Sequence, residues 1–127
     1  MTVRFERQAN FLRIIIEGEM TLEDMYAGVD EIYSAEVPRL VLWDMMNATA
    51  SNNAEDAATQ LQDFSRYATA RGEHRDRGRV ALLAPSELLY GLSRMSTSYS
   101  QINEAAYKMV PFRDESEAIA WLHEVDD

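Results

Sequence analysis

The segment RVALLAPSELLYGLSRM, Arg79 to Met95, decides the fold. Val80 to Ala84 is wholly apolar, so neither side of it suits water. Strands of that kind belong to sheets covered on both faces, the mostly parallel sheets of α/β proteins. Pro85 and Ser86 close the strand and open a helix at once, with Ser86 as its N-cap. From there Leu88, Leu92, Met95, Tyr99 and Ile102 recur at helical spacing and share a face. A strand that feeds a helix without a break is half of a βαβ unit.

The same grammar repeats towards the N-terminus. Leu40 to Trp43 is a second fully apolar strand, followed by an expected polar loop over Asp44 to Asn53. A helix is expected from about Ala54 to Arg71, with Ala57, Leu61, Phe64 and Ala68 as its apolar stripe and Gly72 as its stop. Before that strand, Thr21 begins a helix: its hydroxyl suits the amide near Asp24, and Glu23 and Asp24 suit the positive end of the helix dipole. Leu22, Met25, Tyr26, Val29, Ile32 and Tyr33 form its buried side, and Pro38 ends any continuation. The first residues read as a hairpin. Val3 to Glu6 is a short strand, Gln8-Ala9-Asn10 a turn, and Phe11 to Gly18 a strand built on the β-branched run Ile14-Ile15-Ile16.

Towards the C-terminus, Tyr107 to Phe112 is the last strand. Pro111 cannot donate to a ladder, which places it at a sheet edge. Asp114 with Glu117 forms a capping box for a final helix that buries Ala118, Trp121, Leu122 and Val125. The order is ββαβαβαβα, which predicts a single α/β domain over residues 1–127, with about five strands in a mixed, mostly parallel sheet and about four helices. A chain of 127 residues can bury enough apolar surface to fold without staples.

Composition excludes several functions. The chain has no cysteine, which removes thiol catalysis, CxxC redox chemistry and cysteine-ligated zinc. Its formal net charge of -10 disfavours nucleic acid and anionic membrane as partners. The charged start lacks a signal-peptide pattern, and the apolar runs are too short to insert in a membrane, so a cytoplasmic protein is expected. Arg71, Arg75, Arg77 and Arg79 form the one cationic cluster, read as a solvated loop or, alternatively, as a seat for a phosphate or an acidic partner.

Three segments carry a likeness to a known family: FLRIIIEGEMTLED from Phe11, RVALLAPSELLYGLSRM from Arg79 and VPFRDESEAIAWL from Val110. In order and spacing they resemble the SpoIIAA-like family, whose fold is that of STAS domains. The resemblance implies a β-α superhelix with an extra N-terminal strand and a family without an established enzymatic activity. Its better-known STAS relatives are anti-sigma factor antagonists, switched by a phosphoserine in an Asp-Ser-Ser/Thr-Gly motif after the third strand. At that place this chain reads Asp44-Met45-Met46-Asn47-Ala48-Thr49-Ala50-Ser51, without an Asp-Ser pair and without glycine. Ser51 is the nearest counterpart.

The residues show no recognisable catalytic site, and no cofactor or metal is expected. Ala84-Pro85-Ser86-Glu87-Leu88 lacks the glycines of a nucleophile elbow, His74 and His123 lack convergent ligands, and no glycine-rich phosphate loop exists. In open parallel sheets ligands sit beyond the carboxyl ends of the strands. That edge would comprise Gly18 to Thr21, Asp44 to Asn53, Ala84 to Ser86 and Phe112 to Asp114. The candidate ligand or partner residues are therefore Trp43, Asp44, Asn47, Ser51, Ser86 and Tyr90. Asp44 reads either as a base or metal ligand or as a turn cap; a hydrolase pairing it with Ser86 or His74 is the least supported alternative. Tyr26, Tyr33, Trp43, Met45, Met46, Tyr90, Met95, Tyr99 and Trp121 can line a pocket for an apolar or lipid-like ligand, or serve as core and interface. The expected function is a regulatory or protein-interaction module with a protein partner, or alternatively a carrier or sensor of a small apolar molecule. The apolar surplus on the helix after Ser86 suggests a homodimer.

Overall fold

The structure, a computed structural model, describes residues 2–8, 10–50, 54–75 and 77–124, and for residues 2 and 54–57 the backbone alone. Ser51, Asp76 and Val125 therefore lie outside the described residues, as does the side chain of Ala57. The elements run β1 (Thr2–Gln8), β2 (Phe11–Met20), α1 (Leu22–Ile32), β3 (Leu40–Ala50), α2 (Ala54–Arg71), β4 (Arg79–Leu83), α3 (Glu87–Ile102), β5 (Lys108–Phe112) and α4 (Glu115–Leu122). The sequence order is thus the observed order, and the expected caps are in place. Thr21 and Asp24 form a reciprocal capping box at α1, Ser86 caps α3, and Asp114 caps α4 through the amide of Glu117.

The strands lie side by side as β1-β2-β3-β4-β5. The β1–β2 pair is antiparallel and every other pair is parallel. The edge position of β5 agrees with Pro111. Because the order never reverses, each βαβ crossover turns in the same sense, and the right-handed rule puts successive helices on one face. Accordingly α1, α2 and α3 pack with Leu12, Ile14, Ile16, Val41, Trp43, Met45, Val80 and Leu82. Only α4, which follows the last strand and is not a crossover, covers the opposite face, against Leu40, Leu42, Ala81 and Leu83.

Two expectations need correction. Asp44 to Asn53 is not a loop as far as it is described: β3 continues to Ala50. Between the pairs Ile15–Asp44 and Glu17–Asn47 the register shifts, with one extra residue on β3. A β-bulge of this kind reverses the alternation of faces. Before it Val41, Trp43 and Met45 point to the helical layer; after it Ala48 does. The polar residues that suggested a loop, such as Asn47 and Thr49, sit on exposed strand positions. The second correction concerns α3. Its buried residues are Leu89, Ser93 and Ser100, whereas Leu88 is 52% and Ile102 73% exposed. Of the apolar stripe read from periodicity, Leu92, Met95 and Tyr99 pack against the core, while its two ends, Leu88 and Ile102, are exposed and Ser93 and Ser100 are buried.

Candidate functional site

The monotonic strand order removes the crevice that a reversal would create, because ligand sites at strand ends arise where neighbouring connections diverge. The space in this fold lies elsewhere, between the sheet and its three-helix layer. A cavity of about 350 Å³ runs there, lined by α1, α2, α3 and the inward side of β2, β3, β4 and β5. That volume falls within the roughly 300–1,000 Å³ of small-molecule pockets.

The origin of the cavity can be read residue by residue. Gly28 lets α1 lie directly on the Trp43 indole, since a Cβ there would stand 2.4 Å from its ring. Beyond Trp43, β3 offers Met45 and then, past the bulge, the small residues Ala48 and Ala50. On α3 the inward positions Ser93 and Ser96 are equally small and line the space with Leu89 and Leu92. Small side chains on facing walls leave a gap that the neighbouring Met20, Met25, Leu61 and Phe64 do not close. At one end the rim includes Glu19 and Gln60, both exposed. At the other end stand Tyr33, Tyr107 and Arg75.

That inner end is polar. Arg75 is 8% exposed and its Nη2 donates to the carbonyls of Pro38, at 3.2 Å, and Arg39, at 3.4 Å. Its Nε is buried with no hydrogen-bond partner among the described residues. The guanidinium lies over the Tyr107 ring, 5.1 Å from the centroid, and rests on Gly78, where a Cβ would meet it at 3.1 Å. Gly72 allows the Tyr33 hydroxyl and the Tyr107 ring to converge on its backbone. Burial holds the Tyr107 phenol above its ordinary pKa of 10.0, so the group remains a neutral donor. The expected solvated arginine loop is thereby corrected. Arg75 and Arg79 are both buried, Arg79 over the Trp121 ring on the opposite side of the sheet, while Arg71 pairs with Asp30 at 2.6 Å and clasps α2 to α1.

The residues singled out from sequence do not assemble into one site. Trp43 lines the cavity. Asp44 lies in the middle of β3 facing α4, where Arg13 donates to it through Nη2 at 2.7 Å and Nε at 3.1 Å, and Arg13 also reaches Glu115 at 2.5 Å. Its other oxygen accepts from the Met46 amide at the bulge. The carboxylate therefore does the work of a cap and ion-pair partner. Desolvation alone would lower the Arg13 pKa, but the bonds to Glu115 and Asp44 outweigh it and raise it. Asn47 is exposed, and Ser86 is the α3 cap. Tyr90 lies under Arg113, 5.3 Å from the ring centroid. Of the aromatic and methionine set, Tyr33, Trp43 and Met45 line the cavity. Met95 and Tyr99 line a shallow groove on the outside of α3, Met46 is exposed, and Trp121 packs on the α4 side. His74 and His123 are exposed, as expected. Among the described residues no cluster of potential ligands can hold a metal ion, and no helix is long and apolar enough to cross a membrane. In the sequence Arg75 is one of a run of four arginines before an apolar strand, a pattern that does not reveal which of them are buried.

With this architecture the chain has a SpoIIAA-like α/β fold. No family model matches the chain, and no curated protein matches it significantly. Three solved structures are similar to it over nearly their whole length. An uncharacterised protein of the DUF3478 family with a SpoIIAA-like fold, from Shewanella loihica PV-4, is 18% identical with a TM-score of 0.53, covering 95% of this chain and 92% of that one. The anti-sigma factor antagonist SpoIIAA in its unphosphorylated form is 16% identical with a TM-score of 0.51, covering 98% of this chain and 100% of that one. The phosphorylated form of SpoIIAA, described as a Bacillus cell fate determinant, gives 17% and 0.52, covering 96% and 100%.

Proposed function

We propose that this domain is a non-enzymatic regulatory module of the cytoplasm that binds a small apolar molecule between its sheet and its three-helix layer. The observation that carries this reading is the cavity of about 350 Å³ with its mainly apolar walls. A cavity of roughly 150 Å³ lined by aliphatic and aromatic groups already takes up a benzene-sized guest. The fold is shared with an anti-sigma factor antagonist, which favours regulation over catalysis by analogy of scaffold only. The commitment of Asp44 to Arg13 and of Ser86 to the α3 cap leaves neither as a free reactive group.

The two tryptophans provide the test. Trp43 lines the cavity and Trp121 lies on the other face of the sheet. Titration with medium-chain alcohols, followed by the indole N–H signals in a two-dimensional NMR spectrum, is expected to shift Trp43 and leave Trp121 in place. A Trp43 signal that stays fixed at saturating alcohol would sink the reading.

A second reading rests on the outer side of α3. The apolar stripe there consists of the exposed Leu88 and Ile102, with Met95 and Tyr99, which also pack inward, lining a groove, and Glu87 and Arg94 are the only charges on the helix. On a chain of net charge -10, a stripe without clustered carboxylates is where a protein partner, including a second copy, can approach at least electrostatic cost. Sedimentation is expected to show a concentration-dependent dimer that Ile102→Lys abolishes; a monomer at every concentration rejects self-association.

A further inference from the structure

We infer that the cavity takes an apolar monocarboxylate, a medium-chain acyl acid, with its carboxylate on the guanidinium of Arg75 and its chain directed towards the rim at Met20 and Gln60. The inference rests on the cavity-binding reading above and specifies the ligand for it. Three observations lead to it. Arg75 is nine-tenths buried and lines the cavity, yet no carboxylate among the described residues pairs with it. Among the described residues its Nε has no acceptor, and its Nη2 donates to the carbonyls of Pro38 and Arg39. The remaining walls are dominated by aliphatic, aromatic and thioether side chains, which accommodate a hydrocarbon chain and nothing strongly polar.

A buried guanidinium without an anion is costly, because desolvation is not repaid by a carbonyl as it is by a charge. Arg75 lines the cavity, and a carboxylate entering there gives its guanidinium the charge-assisted partner that the carbonyls of Pro38 and Arg39 do not supply. The Tyr33 hydroxyl, brought close to Tyr107 by Gly72, supplies a second donor at the same end. Steering by the protein as a whole does not account for such a ligand, since the chain carries a net charge of -10. Recognition of an anion must come from a local cation, and Arg75 is the one that lines this cavity. A phosphate or a nucleotide suits the site poorly, because the walls offer no further cation to a doubly charged group.

The test compares decanoate with 1-decanol on the wild-type chain by calorimetry, and then on Arg75→Met. Decanoate is expected to bind at least about tenfold more tightly than decanol, the worth of one charge-assisted hydrogen bond, and Arg75→Met is expected to bring the two to equal affinity. Equal affinities in the wild type overturn the carboxylate assignment and leave the apolar cavity reading intact. Absence of binding by both probes overturns both. An acid preference that persists in folded Arg75→Met removes Arg75 from the site. Should that variant not fold, NOEs between the C2 protons of decanoate and the Tyr107 ring in the wild type decide: their presence supports the inference and their absence overturns it.

Discussion

The two faces of the sheet are built from the same strands and packed to different standards. On the α4 side Leu40, Leu42, Ala81 and Leu83 meet Ala118 and Leu122, nearly all fully buried, and the polar contacts close on themselves through Arg13, Asp44 and Glu115. On the other side three helices cover a wider area, several wall residues are alanine or serine, and a cavity of about 350 Å³ remains with the buried Arg75 in its wall. One face is filled by its own side chains, and the other keeps a space that its side chains do not fill. In a protein interior packed as densely as an organic crystal, such a space on one face alone gives a ligand room.

Substitutions separate the faces. The largest effect is expected from Leu122→Ala, which empties a fully buried position on the tight side and should cost about 2–5 kcal/mol in urea unfolding. Next comes a matched pair of enlargements. Ala118→Leu has no room among Leu42, Ala81 and Leu83 and should destabilise by about 1–3 kcal/mol. Ala50→Leu, which extends into the cavity, should stay within about 1 kcal/mol of wild type while abolishing binding of apolar probes. Equal costs for the two enlargements would erase the difference between the faces.

The smallest effect is a pH dependence confined to the cavity side. Burial raises the Tyr107 pKa above 10.0, so the folded chain keeps its proton where the unfolded chain has lost it. That contribution is present in full below pH 10.0 and is lost as pH rises through the folded-state value. Urea midpoints measured from pH 9 upwards should therefore fall less steeply for Tyr107→Phe than for wild type. Identical slopes would mean that the phenol is not held in a low-dielectric setting.

Most of the fold was legible because its signals are local. Apolar runs such as Val80 to Ala84, caps such as Ser86 and Asp114, and Pro111 at an edge each act within a few residues, and their order implies the crossovers. Reading Asn47 and Thr49 as loop residues failed because a strand edge also exposes polar side chains, and a one-residue bulge leaves no mark in composition. Periodicity gave the stripe on α3 but not its limits, since Leu92, Met95 and Tyr99 pack against the core whereas Leu88 and Ile102 are exposed and Ser93 and Ser100 are buried. The candidate site was less legible still. Trp43 lines the cavity, whereas Asp44 serves an ion pair, Ser86 a helix cap and Tyr90 a ring contact.

The sequence by itself determined the elements, their order and the absence of thiol, paired-histidine and glycine-loop chemistry, because these depend on residue types and short spacings. Only the tertiary structure decided that three helices share one face, that Ala50, Ser93 and Ser96 line a cavity between sheet and helices, and that Arg75 stands at its inner end. Those outcomes depend on which distant residues meet, and the volume and charge balance of a contact exists only once both sides are in place.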